Sequence, residues 1–337
     1  MKRRDFVKSA SAGLAAAVLH IDWKQKYTRS SGNLEREQII PKALFPGCNI
    51  ALVSPAGATF TADEVDNAAK EIQKAGYRAV PMPNVNARQG QFAGTDQQRA
   101  DDLHEAFRRT DVHGIVAVRG GSGCARMLHL LDVELIKNNP KVVVGFSDIT
   151  VLLQYITLKT GLITFHGPVG YSTWNEYSVT ALRNIIEKGN TEILHGGTSS
   201  SDFEPVKGVL WGGNLRVFTH TLGTIFEPED NDMILFLEEV EEEPYSIDRA
   251  FQHVLQWKNF ERVRAIILGG FTKCVPEKPE RSLTLEQTLN EFIAKSKVPV
   301  VSGTKIGHLR DKLTIPLGVR ITLDKYKIDC QTPCVKI

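Results

Sequence analysis

Between residues 48 and 148, short apolar runs alternate with stretches of helical spacing, and this rhythm limits the fold more than any other feature of the chain. "CNIALVSPAG", "RAVPMP", "GIVAVRGG" and "KVVVGFSD" each read as a strand running into proline, glycine or serine. Near-continuous apolar runs suit strands covered on both faces, as in a parallel sheet. After the first run, Val65, Ala68, Ala69 and Ile72 recur at helical spacing and Gly76 stops them, which predicts a helix over Thr61 to Ala75. Asp96 to Arg109 and "ARMLHLLD" supply further helices. Strand and helix in alternation predict an α/β fold with helices on both faces of a parallel sheet. Binding sites in such sheets lie beyond the carboxyl ends of the strands. Two of those ends carry unusual residues: Arg119-Gly120-Gly121-Ser122-Gly123 and Gly145-Phe146-Ser147-Asp148.

The chain is long enough for two cores, and the pattern divides it. An N-terminal α/β domain is expected over residues 41–173, followed by a polar connection over 174–205 that contains "HGGTSSSDFEP". Residues 206–337 carry the strand-like runs "MILFLEEV", "VRAIILGGF", "VPVVSGTKIG" and "VRITLD", with helices at Arg249 to Gln256 and Leu285 to Lys295, and predict a smaller, mixed second domain. An apolar fraction of 42% and a charged fraction of 24% are those of a soluble globular protein. A net charge of +2 without a cluster of Lys and Arg leaves no electrostatic footprint for nucleic acid. The five cysteines are scattered, which argues against a disulfide framework, and Cys330 and Cys334 lack a second pair that would make a zinc site.

Residues 1–40 differ from the rest. "MKRRDFVKSASAGLAAAVLH" begins basic, pairs Arg3 with Arg4 ahead of Phe6, and continues into an apolar run too short to span a bilayer. This order predicts a twin-arginine export leader, followed by a charged linker, and hence a periplasmic protein with no integral membrane segment once mature. A cytoplasmic location follows if the leader does not function.

Ser147 stands between "KVVVG" and a segment in which Ile149, Leu152, Leu153 and Ile156 repeat at helical spacing. A serine on such a turn presents its hydroxyl at the top of the sheet, beside the helix N-terminus. The plain alternative is that Ser147 or Asp148 caps the helix. As a nucleophile, Ser147 needs a base and a group to orient that base. His308, after a strand-like run and a glycine, is the histidine placed at a strand end. Glu238 and Glu239 end the run "MILFLEEV", and alternation along a strand allows only one of them to meet the histidine. Backbone N–H donors for a developing oxyanion are available by position at Asp148 and in the glycine-rich turn at Gly120 and Gly121. The turn "GGSG" is followed by no lysine, so it does not read as a phosphate loop.

Taken together, "VRGGSGCARMLHLLD", "VVGFSDITVLL", "TFHGPVG", "GVLWGGNL", "LFLEEVEEEPYSIDR", "AIILGGF" and "GHLRDKLTIPLGVRITLD" follow the order found in the LD-carboxypeptidases, and the chain resembles that family from about Phe45 to Leu323. These serine peptidases include muramoyltetrapeptide carboxypeptidases and microcin C self-immunity peptidases. The resemblance implies Ser147 as nucleophile, His308 as general base and Glu238 as its partner, with the N–H groups of Gly121 and Asp148 as the oxyanion hole. It implies a flavodoxin-like N-terminal sheet, a C-terminal domain, a site between them, a homodimer, a murein peptide substrate, and neither metal nor cofactor. Four positions depart from the family's pattern: Ser122 stands where tyrosine is usual, Cys48 replaces a common acidic residue, and Ala56 and Gly57 occupy a loop that often carries serine. Two rival expectations are a peptidase of the same chemistry acting on a peptidyl-nucleotide antibiotic, and a non-catalytic envelope binding protein whose ligand site these side chains line.

Overall fold

A computed structural model describes residues 37–337 apart from Ala62; the expected leader and most of its linker lie outside the described residues. The alternating first part forms strands β1 (Asn49–Val53), β2 (Arg78–Pro81), β3 (Gly114–Ala117), β4 (Val142–Gly145) and β5 (Thr164–His166). Helices α1 (Glu64–Lys74), α2 (Asp96–Arg108), α3 (Cys124–Met127), α4 (Val133–Asn138) and α5 (Ile149–Thr160) connect them. The start of α2 is fixed locally: Thr95 Oγ1 accepts the Gln98 N–H at 3.1 Å while Gln98 Oε1 accepts the Thr95 N–H at 2.9 Å, a reciprocal cap. "ARMLHLLD", read as one helix, is instead α3 followed by a single 3-10 turn over Leu128–Leu130, and α4 then begins on the cap of Asp132.

The five strands pair in parallel in the order β2-β1-β3-β4-β5, which is the flavodoxin-like order. The sequence direction of winding reverses between β1 and β3, so the loops after these strands part and leave a crevice at their carboxyl ends.

Helix α6 (Glu176–Ile186) leads to β6 (Glu192–Leu194) and β7 (Thr198–Ser199). The remainder comprises β8 (Val206–Asn214), α7 (Leu215–Thr221), β9 (Met233–Val240), α8 (Pro244–Gln256), β10 (Val263–Thr272), α9 (Leu285–Ser296), β11 (Val300–Ser302), β12 (Ile315–Leu317), β13 (Arg320–Leu323) and β14 (Lys327–Cys330). Helix α8 starts earlier than the apolar spacing predicts because Pro244 occupies its first turn, where a missing N–H is not needed. Strands β6, β14, β13, β8, β9, β10, β11 and β7 form a mixed sheet, parallel from β8 to β11 and antiparallel at both flanks. Two connections cross the expected divisions of the chain. Strand β12 pairs antiparallel with β5 and closes the first sheet, while β6 and β7 join the second.

The two faces of the second sheet belong to different cores. Leu210, Ile234, Phe236 and Ile267 pack with the first sheet, whereas Trp211, Leu235, Leu237, Ile266 and Leu268 pack against α7, α8 and α9. Helix α5 lies between the layers, and ten of its twelve residues are buried, so it is apolar around most of its circumference rather than on one stripe. All five cysteines are buried and unbridged. Among the described residues, no helix is long and apolar enough to cross a membrane.

Candidate active site

Ser147 occupies the sharp turn from β4 into α5 with φ of 65°, in the left-handed region that non-glycine residues seldom adopt. Its carbonyl accepts the Thr150 N–H at 2.9 Å, which closes the first turn of the helix. The turn depends on absent side chains nearby. A Cβ at Gly145 would stand 2.6 Å from Ile149 Cγ2, and one at Gly120 would stand 2.6 Å from Ser147 Cβ and 2.7 Å from its Oγ. Neither Ser147 nor Asp148 caps α5 through its side chain: Asp148 instead accepts the Cys124 N–H at 2.9 Å, and Ser147 Oγ has no hydrogen-bond partner among the described residues. The capping alternative is thereby removed. Burial raises the pKa of the Asp148 carboxyl, against the bonds from Cys124 that lower it.

The glycine-rich turn after β3 lies directly over this serine. The Gly57 N–H donates to the Gly120 carbonyl at 3.2 Å, and a Cβ at Gly121 would reach 3.0 Å from Gly57 Cα, so two backbones meet here without side chains between them. Gly121 has φ of 117° and is exposed together with Ser122. Neither the Gly121 N–H nor the Asp148 N–H has a partner among the described residues. Arg119, just before the glycines, stacks 3.8 Å from the Phe60 ring centroid and donates to the Ala58 carbonyl at 2.7 Å, tying the loop after β1 to the loop after β3.

His308 comes from the loop after β11. Its backbone N–H donates to Glu238 Oε2 at 3.2 Å, and its Nδ1 stands 2.7 Å from the same oxygen. An ionised carboxylate can only accept, so Nδ1 carries the proton and Nε2, on the opposite edge of the ring, is left as the acceptor. Glu238 is fully buried near the end of β9. Burial pushes its carboxyl pKa up, but the adjacent imidazoles of His166 and His308 outweigh that and leave it at about 2. Glycines again make the approach possible: a Cβ at Gly307 would overlap Glu238 Oε2, and one at Gly269 would lie 3.0 Å from Glu238 Cβ.

Alternation separates the two glutamates as strand geometry requires. Glu238 shares the face of Ile234 and Phe236, toward the first sheet, and meets His308. Glu239 shares the opposite face, where it accepts Asn214 Nδ2 at 2.7 Å and the Arg216 N–H at 2.9 Å and so holds the start of α7.

Phe146 joins the two halves. Its ring lies 4.6 Å from the His308 ring, edge to face, and belongs to the residue immediately before Ser147. No hydrogen bond joins Ser147 Oγ to His308 among the described residues; in free enzymes such contacts are often long and tighten when substrate binds. Two more groups surround the pair, and sequence reasoning singled out neither. His166, at the end of β5, places Nε2 3.7 Å from Glu238 Oε1, beyond hydrogen-bond reach. Lys312 is buried with Nζ 5.3 Å from the Phe146 ring centroid, and burial lowers its pKa to about 8 although Glu238 and Asp311 raise it. The only local signals were a histidine in "TFHGPVG" and a lysine in "GHLRDKLT", neither distinctive without the fold. Among the described residues, no cluster of three or more His, Cys, Asp or Glu is placed to hold a metal ion.

A flavodoxin-like sheet joined to a mixed sheet, with a left-handed serine turn whose preceding phenylalanine packs on a carboxylate-bound histidine, suits a serine hydrolase. Residues 50–167 match the LD-carboxypeptidase N-terminal domain and residues 207–323 the LD-carboxypeptidase C-terminal domain, so the chain belongs to the LD-carboxypeptidase family of serine-type hydrolases. It is 32% identical over 291 residues to the probable murein peptide carboxypeptidase of Bacillus subtilis, covering 84% of this chain and 91% of that one. It is also 32% identical over 297 residues to the murein tetrapeptide carboxypeptidase of Pseudomonas aeruginosa, covering 83% and 94%. Among solved structures, the muramoyltetrapeptide carboxypeptidase from Oxalobacter formigenes superposes with a TM-score of 0.74 at 27% identity, over 84% of this chain and 97% of that one.

Proposed function

We propose that this protein hydrolyses the amide between an L-configured centre and a terminal D-amino acid, above all the bond from meso-diaminopimelate to D-alanine in murein tetrapeptides. The observation that carries the mechanism is the 2.7 Å contact of buried Glu238 with His308 Nδ1, which directs the other imidazole edge away from the carboxylate while Phe146 packs the ring beside the Ser147 turn. The murein peptides named for the relatives support the choice of substrate.

In the proposed reaction, Ser147 Oγ attacks the carbonyl carbon and passes its proton to His308 Nε2. The carbonyl oxygen becomes an oxyanion that accepts the Gly121 and Asp148 N–H groups. His308 then gives the proton to the departing amine, D-alanine leaves, and an ester to Ser147 remains. Water, deprotonated by His308, releases the shortened peptide and restores the serine. Glu238 keeps Nδ1 protonated throughout and favours the imidazolium of each transition state. The left-handed turn aims the hydroxyl, and its strain is held by the glycines that crowd around it.

Incubation with a murein tetrapeptide, the corresponding tripeptide and a peptidyl-nucleotide, followed by mass spectrometry, tests substrate class. Loss of one D-alanine from the tetrapeptide alone is expected; cleavage of the peptidyl-nucleotide alone would replace this substrate with the other. We further propose export by the twin-arginine route, action on envelope murein, and a homodimer. A fractionation blot with only full-length cytoplasmic protein would remove export, and a monomer mass by light scattering would remove the dimer.

A further inference from the structure

His166 lies outside the three side chains assigned to the reaction, yet it is buried beside them. It ends β5 in register with Gly145 of β4 on one side and Ile315 of β12 on the other. Its side chain is 2% exposed, and neither ring nitrogen has a hydrogen-bond partner among the described residues. Glu238 Oε1 also lacks one, and this is the oxygen that faces His166 Nε2 at 3.7 Å, while Oε2 takes both bonds from His308. A buried donor and a buried acceptor left unpaired each carry a desolvation penalty, and roughly half an ångström of closure would bring them into hydrogen-bond range. The His166 ring packs edge to face with Phe236 at 5.2 Å and Phe146 at 5.9 Å. A side chain wanted there only for volume would be served by another phenylalanine.

On the basis of the triad proposed above, we infer that His166 is a positioning residue whose Nε2–H closes on Glu238 Oε1 and fixes the carboxylate that orients His308. With both oxygens held, the carboxylate cannot rotate about its terminal bond and carry the imidazole away from Ser147. The titratable groups that act on Glu238 and His308 are His166 on β5, Glu239 near the end of β9, Glu241 just beyond that strand and Lys312 before β12. Loss of the His166 donor leaves Glu238 more basic toward His308, so the imidazolium is favoured and the acid limb of every His308-dependent rate moves to higher pH.

Three variants separate positioning from packing. His166→Phe keeps a ring between the two phenylalanines and removes the donor. His166→Gln returns an amide N–H near the place of Nε2, and His166→Asn places its amide short of Glu238. The readouts are kcat and KM for D-alanine release, and the pH dependence of Ser147 labelling by a fluorophosphonate, which needs no natural substrate. Expected for His166→Phe are a kcat about ten-fold lower, the worth of one buried hydrogen bond, an unchanged KM, and an acid limb moved to higher pH, with His166→Gln recovering most of the loss. Wild-type labelling and an unmoved limb in His166→Phe would overturn the role. Should that variant fail to fold, the Gln and Asn pair decides: a slow Asn beside a fast Gln supports positioning, and equal rates overturn it. A wild-type protein that neither labels at Ser147 nor releases D-alanine removes the triad itself, an outcome distinct from indifference to His166.

Discussion

The two sides of the site are built by different means. On the first sheet, Ser147 is set by backbone geometry: a left-handed turn, an unpaired hydroxyl, and glycines at 120, 121 and 57 where any Cβ would intrude. On the second sheet, His308 is set by side-chain electrostatics around a carboxylate that is wholly buried. In the proposed reaction Ser147 has to be reached by substrate, and it is held from behind by its own main chain. His308 would gain charge that has to be balanced, and its partner Glu238 is buried. The two sides should therefore fail differently when perturbed.

The largest effect short of removing the nucleophile is expected on the electrostatic side. Glu238→Gln keeps the shape but favours the wrong histidine tautomer, and kcat should fall by about ten thousand-fold with little change in KM; a loss under ten-fold in steady-state kinetics would break the contrast. On the backbone side, Gly120→Ala pushes a methyl group against Ser147, and displacement of that order should lower kcat/KM by about a hundred-fold while a thermal melt stays close to wild type. If the melt collapses instead, the glycine serves folding rather than the nucleophile.

Glu239→Gln sharpens the comparison within one strand. Its carboxylate holds α7 and not His308, so the account expects ~1–3 kcal/mol lost in denaturant unfolding and a kcat within a few-fold of wild type. The smallest effect concerns Lys312. Burial lowers its pKa to about 8, so above that pH the unfolded chain binds a proton that the folded one does not, and stability contributed by this site rises from about pH 8 to the unfolded value near 10.5. Lys312→Met should flatten that rise in melts recorded against pH. Glu238 gives a slope of the same sign in an acidic window: its lowered pKa contributes stability at neutral pH that is lost as pH falls from the unfolded carboxylate range toward about 2.

Much of this arrangement was legible in the sequence because it is local. Apolar runs ended by proline, glycine or serine mark β1 to β4, and the serine turn is visible between "KVVVG" and the spacing of α5. What period-two alternation cannot tell is which of Glu238 and Glu239 faces the histidine, since that depends on which side of β9 the first sheet packs. The family's pattern named Glu238, and the register supplies the reason: Ile234 and Phe236 share its face. His166 left no such trace. Its contact with Glu238 spans two sheets, and its neighbours, Gly145 and Ile315, are brought to it only by strand pairing. The pairing of β12 with β5 was equally hidden, because a three-residue edge strand far along the chain has no local mark of its partner.

The central claim is a covalent ester at one serine, and rapid-quench intact-mass spectrometry during turnover of a murein tetrapeptide tests it most directly. The account predicts a transient species heavier by the acyl part of the peptide, mapped to Ser147, and neither that species nor D-alanine release in Ser147→Ala. D-alanine released by Ser147→Ala at the wild-type rate would contradict it.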